Sequence, residues 1–225
     1  MTNLAKWNLY YNLEGGQPVR ANLVYTPYIS PDQKTICMSF NRDIAYHKYP
    51  EENVLWTEEL LTDRFNKELE FHKLASMTMP TLRLLDADTT KREVYFEWHG
   101  ADFFMQGLAS GGYDNVLPDW QEQWLSLIEK MWTANIYKIS LHPNSWIAHD
   151  SKLIPFNWFF CYHKDSSPVT IQSLLLQISS GRQEKLAGIE LETPFTPVQL
   201  QTIAFNSFRQ NYPKELIEKS VCRIM

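Results

Sequence analysis

Residues 139–158 hold the densest set of groups able to do chemistry. The run is Ile139-Ser140-Leu141-His142-Pro143-Asn144-Ser145-Trp146-Ile147-Ala148-His149-Asp150-Ser151-Lys152-Leu153-Ile154-Pro155-Phe156-Asn157-Trp158. Ser140 beside His142 suggests a nucleophile with its base, but no G-x-S-x-G elbow presents the serine. His142, His149 and His163 suggest a metal triad, yet no H-x-x-x-H spacing sets two of them on one helical face. Asp150 before Ser151 fits a turn better than a base. These residue types alone therefore predict neither serine hydrolysis nor a metal centre.

The elements that must position this run follow from periodicity. Trp7 to Tyr11, Ala21 to Tyr28 and Thr35 to Phe40 read as strands, separated by turns at Glu14-Gly15-Gly16 and Ser30-Pro31-Asp32. A helix is predicted over 57–76, with Leu61, Phe65, Leu69 and His72 on one stripe and Glu58, Glu59 and Asp63 in its first turns. Leu82–Leu85 and Glu93–Trp98 alternate like two strands around Asp86-Ala87-Asp88. A capping box at Asp119-Trp120-Gln121-Glu122 opens a helix to about residue 135, with Trp124, Leu127, Ile128 and Met131 on its stripe. Residues 145–161 read as two short strands around Asp150-Ser151. Helices are predicted around 171–178, over 196–211 and from Pro213. The expected organisation is a β lobe with one helix over 1–98 and a mainly helical lobe over 99–225.

Composition bounds the function class. The chain has 225 residues, 44% of them hydrophobic and 21% charged, as in ordinary folded proteins. Its 8 glycines are about half the usual share, against 8 Trp, 12 Phe and 11 Tyr, which rules out low complexity and disfavours glycine-rich phosphate loops. The net charge is −5, with −4 in residues 1–110 and −1 in 111–225, so neither half has the positive excess that phosphate-backbone binding needs. A nucleic-acid partner is disfavoured. No apolar run approaches the roughly 18–20 residues of a membrane span, and the residues after Met1 form no apolar signal core. Cys37, Cys161 and Cys222 are widely spaced without a C-x-x-C pair, consistent with reduced thiols in a cytoplasmic protein. Trp120, Trp124, Trp132, Trp146 and Trp158 are expected mostly in the core.

The run at 139–158 resembles the catalytic segment of the protein-kinase-like superfamily, in its aminoglycoside-phosphotransferase-like branch, whose pattern is G-D-L-H-P-G-N-I-L-V-D-D-G-K-L-V-V-I-D-W. The two align without a gap, and Leu141, His142, Pro143, Asp150, Lys152, Leu153 and Trp158 coincide. The order of a five-strand lobe with one helix, then helices around the run, fits the same resemblance. It implies an α+β, two-lobed fold.

The departures fall on the chemistry. The resemblance places the hydroxyl-activating Asp at Ser140, a metal-binding Asn at Ser145 and the Mg²⁺-holding Asp at Asn157. Asn144 stands at the family's Gly. Neutral oxygens are weak ligands for this hard cation, and phosphoryl transfer needs its charge. The third strand, Ile36-Cys37-Met38-Ser39-Phe40, holds no Lys, although Glu68 stands where the family places that Lys's partner. Leu13-Glu14-Gly15-Gly16-Gln17-Pro18 stands at the nucleotide-covering loop without G-x-G-x-x-G. Glu97-Trp98-His99-Gly100-Ala101-Asp102 resembles the hinge that contacts adenine. Nucleotide-cleft candidates are thus Glu68, Glu97, His99 and Asn144.

These substitutions imply a pseudokinase that acts by binding another protein. Two alternatives stand beside it: an atypical phosphotransferase for a small hydroxylated acceptor, and a viral structural or assembly component. ATP and magnesium are expected only in the first of these alternatives. Reduced kinase-like chains of this sort resemble those of large tailed bacteriophages, so a phage origin, with residence in host cytoplasm, is the accompanying expectation.

Overall fold

The structure, a computed structural model, describes residues 4–9, 25–41, 57–99, 103–104, 117–138 and 145–166, and positions 215, 216, 219 and 223. The predicted turn at 14–16 and the helices at 171–178 and 196–211 lie outside these residues. The chain forms two compact units, Met1–Leu69 with Leu82–Asp102, and Glu70–Thr81 with Phe103–Met225. The fold is mixed α+β with antiparallel sheets. Among the described residues no helix is long and apolar enough to cross a membrane.

In the first unit, β1 (Asn8–Leu9), β2 (Thr26–Ile29), β3 (Thr35–Ser39), β4 (Leu84–Asp88) and β5 (Glu93–Glu97) form one antiparallel sheet in the order β1-β2-β3-β5-β4. The β2–β3 reversal is built by Ser30. Its hydroxyl donates to the Asp32 carboxylate at 2.5 Å and accepts the backbone N–H groups of Lys34 and Thr35. That hydroxyl, followed by the Lys34 backbone N–H, holds the Asp32 carboxyl below its ordinary pKa.

Period-two alternation gives the sheet two unlike faces. Ile36 pairs with Phe96 and Met38 with Val94, all buried, on the apolar face. Thr35–Glu97, Cys37–Tyr95 and Ser39–Glu93 pair on the other. Helix α1 (Glu58–Ser76) begins at Thr57, whose hydroxyl accepts the Leu60 N–H at 3.2 Å. Its Leu61 and Phe65 are buried, and Phe65 meets Phe40 edge-on at 6.1 Å. The predicted stripe holds for Leu61, Phe65 and His72, while Leu69 is half-buried.

The predicted reversal at Asp86-Ala87-Asp88 is corrected. Those residues are in β4, and the turn lies at 89–92 with Arg92 at φ 53°. A bulge between Leu84 and Asp86 lets Asp86 pair with Tyr95 and Asp88 with Glu93, so cross-strand pairing keeps the segment extended. The turn is then fixed by the Lys91 N–H donating to Asp88.

In the second unit, β6 (Phe103–Phe104), β8 (Trp146–His149) and β9 (Lys152–Pro155) form a three-stranded antiparallel sheet, and β7 (Ile136–Lys138) pairs antiparallel with β10 (Cys161–His163). Helix α2 (Trp120–Thr133) buries Trp120, Trp124, Leu125, Leu127, Ile128 and Met131 on one stripe. The predicted capping box is corrected: the Asp119 side chain makes no cap hydrogen bond and instead accepts from Gln123 Nε2 at 3.0 Å. The same amide donates to the Ser151 carbonyl, and its oxygen accepts the Leu153 N–H at 2.7 Å. Gln123 thereby ties α2 to the β8–β9 hairpin. Trp120, Trp124, Trp146 and Trp158 are buried as expected and Trp132 is half-buried. Glu215, Leu216, Lys219 and Arg223 are helical, and Arg223 pairs with Glu122 at 3.2 Å.

Candidate functional site

The β8–β9 hairpin places two of the four positions matched to the catalytic run. Its reversal is Asp150-Ser151, both left-handed at φ 46° and 58°, the two-residue geometry whose twist suits a hairpin. Asp150 is thus a turn residue, as its type predicts. At the open end, the Phe156 N–H donates to the Ser145 carbonyl at 2.8 Å. Ser145 and Asn157 are both buried there. Ser140, His142 and Asn144 lie outside the described residues.

Asn157 ends the hairpin in a left-handed conformation, φ 64° and ψ 71°, and starts the short helical turn Trp158–Phe160. Asparagine tolerates this region better than most residues. Asn157→Gly is expected to keep the corner at little backbone cost, whereas Asn157→Ala adds the left-handed Cβ clash. Denaturant melts of the two variants should separate by about 1–2 kcal/mol in favour of Gly. Equal stabilities would show that the backbone corner carries no strain.

A residue that the sequence analysis missed sits against this corner. Lys138, the last residue of β7, is 3% exposed. Its Nζ donates to the backbone carbonyl of Asn157 and lies 5.4 Å from the centroid of the Trp158 ring. A carbonyl dipole and an aromatic face both stabilise an ammonium withdrawn from water. The signal was present as a lysine inside the apolar run Ile136-Tyr137-Lys138-Ile139. Next to it, burial pushes the Tyr137 phenol well above its ordinary pKa, so it stays neutral.

Two of the described histidines of this unit lie beside carboxylates. His149 lies 3.5 Å from Asp150. His163 lies 3.0 Å from Glu70, with its ring 5.1 Å from Phe71.

In the first unit, Glu68 is fully buried on α1, and Arg64, one turn earlier on the same face, is fully buried too. A guanidinium therefore lies on the face where a strand lysine was the expected partner. On β3, Ile36, Cys37 and Met38 are buried and Lys34 is exposed in the preceding turn. Burial, with the Glu93 charge second, pushes the Cys37 thiol far up, which removes it as a nucleophile at neutral pH. Glu97 is held by Arg83 through two hydrogen bonds of 3.0 and 2.8 Å. His99 is exposed, and the Trp98 N–H donates to the Lys34 carbonyl at 2.9 Å. The rest of the hinge-like segment, 100–102, lies outside the described residues.

The chain matches no protein-family model and no curated protein.

Proposed function

We propose that this chain is a kinase-like protein without phosphoryl transfer, a pseudokinase that acts by binding another protein. The observation that carries the proposal is the Lys138–Asn157 corner. The resemblance assigns Asn157 the metal-holding carboxylate. Here the group is an amide, the residue is buried, and the Lys138 Nζ donates to its backbone carbonyl. The Asn157 amide offers a divalent cation no anionic oxygen, and the Lys138 amine already occupies the backbone carbonyl beside it. Without the cation, the charge that develops on a transferred phosphoryl group has no counter-ion.

Further support comes from the first unit, whose described elements run strand–strand–strand–helix–strand–strand, an order consistent with the family's small lobe. Its third strand carries Ser39 and Cys37 on the polar face where a phosphate-pairing lysine would be needed. Loss of phosphate and metal contacts together is easier to reconcile with binding than with catalysis.

Isothermal titration calorimetry with Mg-ATP and with ATP alone tests the proposal. The expected result is no magnesium-dependent heat and no phosphate release in a parallel assay. A saturable, metal-dependent ATPase or phosphotransfer activity that Asn157→Ala abolishes would overturn it.

A further inference from the structure

We infer that the outer edge of β4 in the first unit is a docking edge for an extended, basic segment of a partner protein. The inference rests on the protein-binding proposal above and names its surface and partner class. Among the described residues β4 is the last strand of the five-stranded sheet, paired with β5 on one side alone. A strand so placed presents a row of backbone donors and acceptors to any extended chain.

Two features distinguish this edge from an ordinary sheet border. Among the described residues of this unit, Leu84 and Leu85 are the large apolar side chains exposed, at 41% and 40%. They are neighbours in sequence, and the bulge between Leu84 and Asp86 breaks the alternation that would otherwise turn one of them into the sheet. The second feature is charge. Asp86 is exposed and its carboxylate accepts the Ala87 N–H at 2.8 Å. Asp88 lies 3.5 Å from Lys91, which also lies 3.9 Å from Glu93, and Arg83 pairs with Glu97 at 2.8 Å. Residues 83–97 hold four acids, Asp86, Asp88, Glu93 and Glu97, against three bases, Arg83, Lys91 and Arg92, a net of −1, and Arg92 is itself paired with Glu58 at 2.6 Å.

That charge selects the occupant. A second copy laid antiparallel on the same edge brings Asp86 and Asp88 of one chain against those of the other, and like charges facing across strands are destabilising. A segment alternating basic and apolar residues meets Asp86 and Asp88 with its cations and Leu84 and Leu85 with its apolar groups. β4 is 5 residues long, so a segment of about five residues, roughly 17 Å, covers it.

A capped, fluorescent peptide of alternating Lys and Val, titrated against the full chain and followed by anisotropy, tests the inference. It should bind saturably and weaken with salt. The Glu-Val counterpart should bind more weakly, and each charge pair lost should account for about two- to five-fold. Asp86→Lys changes an exposed side chain, with loss of its hydrogen bond to the Ala87 N–H, and should erase or invert the preference. A Lys-Val peptide N-methylated on alternate residues should lose binding, because it cannot complete the ladder. Absent binding, equal affinity for the two peptides, indifference to Asp86→Lys, or concentration-dependent dimerisation by sedimentation would each overturn the inference. Peptide failure with no magnesium-dependent turnover rejects the edge alone. Turnover with intact peptide binding rejects the pseudokinase proposal alone.

Discussion

Trp146→Ala is expected to lower the unfolding free energy by about 3–5 kcal/mol, a large share of an ordinary domain's stability. Trp146 is 1% exposed and opens β8, with its ring 6.1 Å from that of the equally buried Trp124 on α2. Removing the indole discards its burial and leaves a void between hairpin and helix that a packed interior closes only in part. Trp146→Phe keeps an aromatic in the site and should lose much less. Urea melts followed by far-ultraviolet circular dichroism give both values. A loss for Ala below about 1 kcal/mol would show that this contact is not central to the core. The same substitution leaves Gln123 and its two bonds to the hairpin chemically intact, so the experiment weighs apolar packing against that polar tie.

Acidification should bring a second large loss. Burial on α1 lowers His72 from its ordinary 6.5 to about 4. The unfolded chain takes up a proton near 6.5 and the folded chain only near 4. Between those values the unfolded state binds more protons, so stability falls as the pH falls and levels off below about 4. The difference corresponds to about 3 kcal/mol across the window. His72→Gln removes the titration, and its stability should be flat over the same range apart from contributions of carboxylates. Parallel slopes for the native and variant proteins between pH 6.5 and 4 would sink the assignment to His72.

How much of this was legible in the sequence depended on which force decided each element. α1 and the β8–β9 hairpin were legible because an apolar stripe of helical period and a two-residue turn sequence both act locally. The β4–β5 reversal was not. Asp86-Ala87-Asp88 has turn composition, but pairing with Tyr95, Val94 and Glu93 outweighs it, and the bulge that permits this has no sequence mark. Asp119 has the right type for a cap, yet Gln123 at the next helical turn competes for its carboxylate. The candidate site divides the same way. The neutral side chains at Ser145 and Asn157 could be read directly, and so could the absence of lysine from β3. The ammonium at Lys138 could not, since lysine is almost never fully buried and only the fold brings Asn157 and Trp158 to it.

Among the described residues, six other than glycine hold positive φ: Gln33, Arg92, Asn135, Asp150, Ser151 and Asn157. Each such corner costs about 1 kcal/mol in the native state, which a glycine would avoid. A glycine would instead widen the set of conformations open to the denatured chain. At the Asp150-Ser151 reversal the two effects oppose each other directly. The hairpin accepts native strain, and in return its denatured segment has fewer states to surrender on folding. A chain so short of glycine therefore draws part of its stability from a restricted denatured ensemble, a contribution that no contact in the folded protein displays.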